Sequence, residues 1–83
     1  RVSFLLDWTG PSEAIDTACS STLVALNRAV LAINSGECQQ AVAGGVSLML
    51  SPKTFVSISQ MGVLSKDGHC KTFDEAADGY VKG

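Results

Sequence analysis

Cys19 stands in the run Asp16-Thr17-Ala18-Cys19-Ser20-Ser21, between a segment with extended character and a long apolar stretch with helical spacing. That setting suits a cysteine nucleophile. A thiol in the first turn of a helix faces backbone N–H groups without carbonyl partners and the positive end of the helix dipole, and both favour the thiolate. The same N–H groups can stabilise an oxyanion on a carbonyl carbon that the sulfur attacks. Thiol hydrolysis, thioester exchange and carbon–carbon condensation all fit this pattern, and the local residues do not choose among them. A buried structural cysteine, a common state for free Cys, weighs about evenly against the nucleophile when this residue is read alone.

The remaining reactive residues carry less. Cys19, Cys38 and Cys70 are odd in number and widely spaced. They show none of the C-x-x-C pairing that reads as a zinc or redox motif, and a disulfide framework is not expected. His69 beside Cys70 is half of a metal site at most, too few ligands for a stable centre, so no metal is expected. Asp16, three residues before the thiol, has the position of a triad orienter. With no histidine near it in sequence, and an unfavourable negative charge beside a thiolate, it is expected to hydrogen-bond backbone instead.

Several elements must position Cys19. Val2 to Trp8 is a short apolar run closed by the turn signal Thr9-Gly10-Pro11-Ser12. Glu13 to Ala18 reads as a strand. From Ser20 to Asn34, Leu23, Val24, Ala25, Leu26, Ala29, Val30, Leu31, Ala32 and Ile33 run nearly all round a helix, broken mainly by Asn27 and Arg28, which predicts burial. Ser35-Gly36 ends it, with glycine suited to the left-handed C′ position. Gln40 to Leu50 reads as a central strand whose Gly44-Gly45 pair marks a bend or close backbone approach, too weak a signal for a phosphate loop. Ser51-Pro52 supplies an N-cap and an N1 proline for a shorter helix through about Met61, ended by Gly62. Lys66-Asp67-Gly68 reads as a surface turn. Strand, nucleophile, helix and strand make a β-α-β unit of a layered α/β protein.

The composition agrees with such an interior position. The 83 residues are 46% hydrophobic and 17% charged, with a mean hydropathy of +0.24, too apolar for a disordered tail. The start at Arg1 without an initiator methionine and the end in a glycine-rich stretch at Gly83 predict that 1–83 is an internal piece of a larger domain. A net charge of −2 with scattered Lys and Arg offers no basic stripe to nucleic acid or to an anionic membrane. No apolar run approaches the roughly 18 residues of a membrane span and no segment resembles a signal peptide, so a cytoplasmic location is expected.

A family resemblance separates the chemistries that local pattern leaves open. Gly10-Pro11-Ser12, Asp16-Thr17-Ala18-Cys19-Ser20-Ser21, Ala43-Gly44-Gly45-Val46, Leu64-Ser65, Cys70-Lys71-Thr72-Phe73-Asp74 and Ala77-Asp78-Gly79-Tyr80-Val81-Lys82-Gly83 resemble consecutive blocks of β-ketoacyl synthases. The D-T-A-C-S-S block resembles most specifically the ketosynthase domain of polyketide synthases, here of the modular type I kind. The Trp8-Thr9-Gly10-Pro11-Ser12-Glu13 lead-in is similar to the bacterial kind whose acyltransferase is a separate protein. Thr22, where a third serine often follows, and Asn27, where a histidine often stands, depart from the usual pattern without touching the nucleophile. Thiolases share the fold of this family but differ at the cysteine block.

The resemblance implies the thiolase fold, a five-layer α-β-α-β-α sandwich, with 1–83 in the nucleophile-bearing part of its first half. It implies that Cys19 takes an acyl chain from the phosphopantetheine thiol of an acyl carrier protein. An enolate from a decarboxylated malonyl-type extender then attacks that thioester, and the product is a β-ketoacyl thioester. It implies one oxyanion donor in the Cys19 N–H, a second donor in a later glycine-rich loop, and two catalytic histidines and a lysine further downstream, with the H-G-T-G-T and N-x-G-H-type blocks beyond residue 83. His69, in the turn before C-K-T-F-D, corresponds to neither histidine. By the same analogy Ile58 and Met61 line an acyl pocket, and the strand around Glu13 to Thr17 pairs across the two-fold axis of a homodimer. Two readings stand beside condensation: a ketosynthase that passes acyl chains on without elongating them, and a segment that only supplies dimer and carrier-protein contacts.

Overall fold

Ser21–Asn34 is the longest regular element, and both of its ends follow from the residues placed there. In the computed structural model, which describes residues 1–82, a single turn of 3-10 helix at Ala18–Ser20 leads directly into it. We label the helices α1 (Val2–Leu5), α2 (Ser21–Asn34) and α3 (Pro52–Gln60). The chain divides into two compact units, Arg1–Val46 and Ser47–Gly83.

In the first unit, α1 is one turn long, and the Trp8 N–H returns to the Ser3 carbonyl at 2.8 Å to close the apolar run. The Ser3 hydroxyl donates to that of Ser12 at 3.0 Å, holding this turn to the segment beyond Gly10-Pro11. At the far end of α2, Gly36 adopts φ 79°, the conformation expected of a C′ glycine. The Glu37 N–H reaches the Ala32 carbonyl at 2.9 Å and the Gly36 N–H reaches Ile33 at 3.1 Å, the paired bonds of a Schellman motif.

In the second unit, Ser51 caps α3 as expected: its hydroxyl accepts from the Lys53 N–H at 3.3 Å, with proline in the first turn. Gly62, at φ 72°, follows the helix end. Lys66, Asp67 and Gly68 form an exposed bend with Gly68 at φ 74°. A parallel bridge joins Leu64 to Tyr80 through Ser65 N–H to Tyr80 O at 2.9 Å and Tyr80 N–H to Val63 O at 3.0 Å.

The expected β-α-β unit is not formed. Neither Glu13 to Ala18 nor Gln40 to Leu50 enters a hydrogen-bonded ladder, and the Leu64–Tyr80 bridge is the sole β pairing among the described residues. A strand is defined by its partner. The pattern of these segments records a preference for extended backbone, but pairing needs a second edge that the described residues do not offer.

The expected burial of α2 is not met within the described residues for the same reason. Ala32, 5% exposed, is the one buried residue described, whereas Leu23 is 71% and Leu31 53% exposed. Among the described residues no sheet is present for the apolar sides of α2 to pack against. With so little apolar surface removed from water, the isolated 83 residues should unfold without a cooperative transition. A sharp calorimetric peak from the isolated chain would contradict this.

Candidate active site

The sequence around Cys19 folds into a short turn whose polar groups are almost all satisfied by its own neighbours. Asp16 accepts the Ala18 N–H on Oδ1 at 3.1 Å, the backbone role expected for it. Ala18 adopts φ 56°, a left-handed conformation costing a non-glycine residue about 1–2 kcal/mol. Cys19 follows immediately, exposed and free, one residue from the N-cap of α2.

Three hydroxyls hold this turn. Ser20 donates to the Thr17 carbonyl at 2.9 Å, so its one proton is committed and Thr17 Oγ1 is the donor in their 2.8 Å contact. Ser21 Oγ accepts the Thr17 N–H at 2.9 Å and donates to the Ala18 carbonyl at 2.7 Å. Ser20 occupies the N-cap position of α2 but makes no side-chain cap bond, because its hydroxyl is turned back to Thr17. A serine before an apolar helix reads as a cap in sequence, which is why this network was not foreseen.

Arg28, on the second turn of α2, binds one acidic residue before the helix and one after it. Its Nη2 lies 2.9 Å from Glu13 Oε1 and 3.1 Å from Glu37 Oε2. The hydrogen bond that Arg28 donates to Glu37, and then that to Glu13, raise the guanidinium pKa further. All three side chains are more than a third exposed, so these pairs contribute to register more than to stability. Gly45 in the same unit approaches α2 closely: a Cβ there would meet Thr22 Oγ1 at 3.2 Å. This matches the close approach expected of the paired glycines, whereas Gly44 has open space beside it.

The other expected site residues are placed separately. Ile58 is half-buried on α3 and Met61 is 73% exposed, both in the second unit, whereas Cys19 belongs to the first. His69 is exposed, with Nδ1 2.9 Å from the Gly68 carbonyl oxygen. Cys38 is half-buried near Gly10, and the exposed Cys70 accepts the Val81 N–H on sulfur at 3.2 Å; both are free thiols. Among the described residues no group of three or more His, Cys, Asp and Glu is gathered as a metal site would require, and no helix is long and apolar enough to cross a membrane.

An ion cluster orders the second unit. Lys71 Nζ lies 2.8 Å from Asp78 and 2.9 Å from Asp67, and Asp67 also accepts the Ser65 hydroxyl at 2.7 Å. The Lys71 hydrogen bond, followed by that of Ser65, lowers the Asp67 pKa to about 2, and Lys71 likewise lowers that of Asp78. A carboxyl depressed in the folded state contributes stability above its unfolded pKa, about 3.9, and loses it as pH falls through the folded value. The contribution of Asp67 should therefore fade between about pH 4 and pH 2. Lys71→Met should move the Asp67 midpoint up towards the ordinary carboxylate range in a carboxyl ¹³C NMR titration. An unchanged midpoint would contradict the pairing.

Comparison with known proteins bears on what such a turn does. All of residues 1–83 match the family model described as beta-ketoacyl synthase, N-terminal domain. The non-reducing polyketide synthase pks12 of Talaromyces marneffei is 52% identical over 82 residues, covering 99% of this chain and 4% of the relative. Polyketide synthase PksN of Bacillus subtilis is 52% identical over 81 residues, 98% of this chain and 2% of its own length. The fatty acid synthase of Anser anser anser is 52% identical over 82 residues, 99% of this chain and 23% of that relative. The chain thus spans a small part of each relative it matches.

Proposed function

The chain belongs to the β-ketoacyl synthase family, and from that premise we propose that it carries the nucleophile of a condensing enzyme of polyketide assembly, with Cys19 as the catalytic residue. The observation that carries this is the exposed Cys19 thiol on a strained, hydroxyl-braced turn at the start of α2, within D-T-A-C-S-S. The whole domain takes the thiolase-like fold of its family, of which residues 1–83 form part of the N-terminal half. There the segments 13–18 and 40–50 find the strand partners that the described residues do not supply.

The mechanism follows from the chemistry of a thiol at this position. The Cys19 thiolate attacks the carbonyl carbon of an acyl thioester presented on the phosphopantetheine arm of an acyl carrier protein. The carbonyl electron pair moves onto oxygen, where the Cys19 N–H receives it. Collapse of the tetrahedral intermediate expels the carrier thiolate, which takes up a proton, and leaves the acyl group on sulfur. A malonyl-type extender on a carrier protein then loses carbon dioxide, and the enolate carbon attacks the acyl-cysteine. A carbon–carbon bond forms, the Cys19 thiolate leaves, and the β-ketoacyl product remains on the carrier. Apolar surroundings in the complete domain keep water from the acyl-enzyme.

Further parts of the proposal rest on analogy. Ile58 and Met61 line the acyl pocket, and the segment Glu13 to Thr17 meets its counterpart across the two-fold axis of a homodimer. The assignment to the bacterial kind with a separate acyltransferase rests on the Trp8 to Glu13 lead-in alone, since fungal and bacterial polyketide synthases and a fatty acid synthase are equally similar at 52%. The test is to supply the complete domain with acyl-carrier thioester and then malonyl-carrier protein, following product by mass. Appearance of the β-ketoacyl product supports condensation. Acyl-enzyme without product would replace it with transfer-only function, and no acyl-enzyme from any of several acyl donors would leave a contact role.

A further inference from the structure

The peptide between Ala18 and Cys19 is the structural link between the hydroxyl network and the reaction. A peptide unit is planar and trans, so the direction of the Ala18 carbonyl fixes the direction of the Cys19 N–H on the opposite side of the same plane. The Ala18 carbonyl is held by Ser21 Oγ at 2.7 Å. Ser21 Oγ also accepts the Thr17 N–H at 2.9 Å, so one hydroxyl spans the left-handed Ala18 from the peptide before it to the peptide after it. Only a group that is donor and acceptor at once can do both. Ser21 is also the first residue of α2 and half-buried, which ties the peptide to a fourteen-residue helix instead of to a free loop.

We infer that Ser21 is a positioning residue for acyl transfer: its hydroxyl, by holding the Ala18 carbonyl, aims the Cys19 N–H at the oxygen on which charge develops. This rests on the condensing-enzyme reading. Ser20 does not share the role, because its hydroxyl bonds to Thr17 and not to the peptide that carries the Cys19 N–H. The Ser21 backbone N–H also reaches the Ala18 carbonyl and closes the 3-10 turn, but the hydroxyl alone ties that carbonyl to the Thr17 N–H; without it the strained turn loses this cross-link and can relax by tilting the peptide.

Two reactions of the same thiol separate positioning from simple loss of structure. Acyl transfer develops an oxyanion, whereas alkylation by iodoacetamide displaces iodide at a saturated carbon and does not. In the complete synthase domain, Ser21→Ala should slow single-turnover acylation from an acyl-carrier thioester about 10- to 100-fold, with half-saturation by the carrier little changed. Alkylation of Cys19 should stay within about threefold of wild type, since the thiol itself remains presented. Ser21→Thr, which keeps the hydroxyl, should restore acylation, and Ser21→Val, matched to it in shape, should not.

An equal fall in both reactions, or undiminished acylation in Ser21→Ala, would overturn the assignment. So would failure of both Ser21→Ala and Ser21→Val to fold while Ser21→Thr folds, which would make the hydroxyl purely structural. Failure of the wild-type domain to acylate Cys19 at all would overturn the condensing-enzyme reading itself, and the role of Ser21 with it.

Discussion

Cys19→Ala in the complete synthase should abolish the acyl-enzyme and reduce condensation by about a thousandfold or more, the usual scale for removing a covalent nucleophile. The expected effect is large because both steps of the proposed mechanism use the same sulfur. It takes the acyl group from the carrier, and it is the leaving group when the new carbon–carbon bond forms. Alanine keeps the backbone N–H, and Cys19 is exposed on the surface of its turn, so folding of the domain should change little. The informative comparison is with Cys38→Ala and Cys70→Ala. These thiols lie near Gly10 and under the Val81 N–H respectively, and their loss should leave acylation within a small factor of wild type. Mass spectrometry of the three variants after exposure to acyl-carrier thioester measures the difference. An acyl-enzyme that survives in Cys19→Ala and disappears in either of the others would move the nucleophile elsewhere.

The largest effect on stability is expected at Gly79. It has φ 139°, where side chains are rarely tolerated, and a Cβ there would lie 2.6 Å from the Leu64 carbonyl carbon, 2.6 Å from Val63 O and 2.7 Å from Ser65 N. All three are backbone atoms of the segment that bridges to Tyr80, so no side-chain rotation can make room. Gly79→Ala must either break the Leu64–Tyr80 bridge or force its backbone apart, at a cost of about 3 kcal/mol or more. Gly36 provides the control. It also has positive φ, 79°, but a Cβ there would meet nothing within 4 Å. Gly36→Ala should therefore cost only the conformational penalty, about 1 kcal/mol. Denaturant unfolding of the complete domain carrying each change measures the contrast, and equal losses would show that close approach at Gly79 is not what demands glycine.

Helix ends were the part of the fold most legible in sequence, because their determinants are local. Ser51-Pro52 starts α3 and Ser35-Gly36 closes α2 within the same few residues that signal them. The backbone role of Asp16 was legible on similar grounds, since its acceptor oxygen needs to reach only two residues along the chain. The segments 13–18 and 40–50 were not, because extended character is a local preference whereas pairing depends on a distant edge. Burial of α2 is unmet within these residues on the same grounds: an all-round apolar pattern states what the helix needs, and the described residues do not supply it.

At the site, the position of Cys19 followed from the junction between an extended segment and an apolar helix, but its chemistry did not. The proposal of thioester chemistry rests on the family blocks, and the match across residues 1–83 shows the family. The bonds of Ser21 were hidden by its type and place, since serines at a helix start are ordinarily caps, and only the left-handed Ala18 turns this hydroxyl back onto the loop. The demand for glycine at position 79 was hidden too, because its neighbours Val63 to Ser65 lie some fifteen residues away in sequence.

The central claim is that Cys19 is the atom-bearing site of acyl transfer. The most direct measurement is peptide mapping by mass spectrometry of the complete wild-type domain after brief incubation with an acyl-carrier thioester. The account predicts one acyl group per active site, on the peptide that contains Cys19 and released by hydroxylamine as a thioester should be. Acyl mass on the peptide of Cys38 or Cys70, or on no cysteine at all, would contradict it.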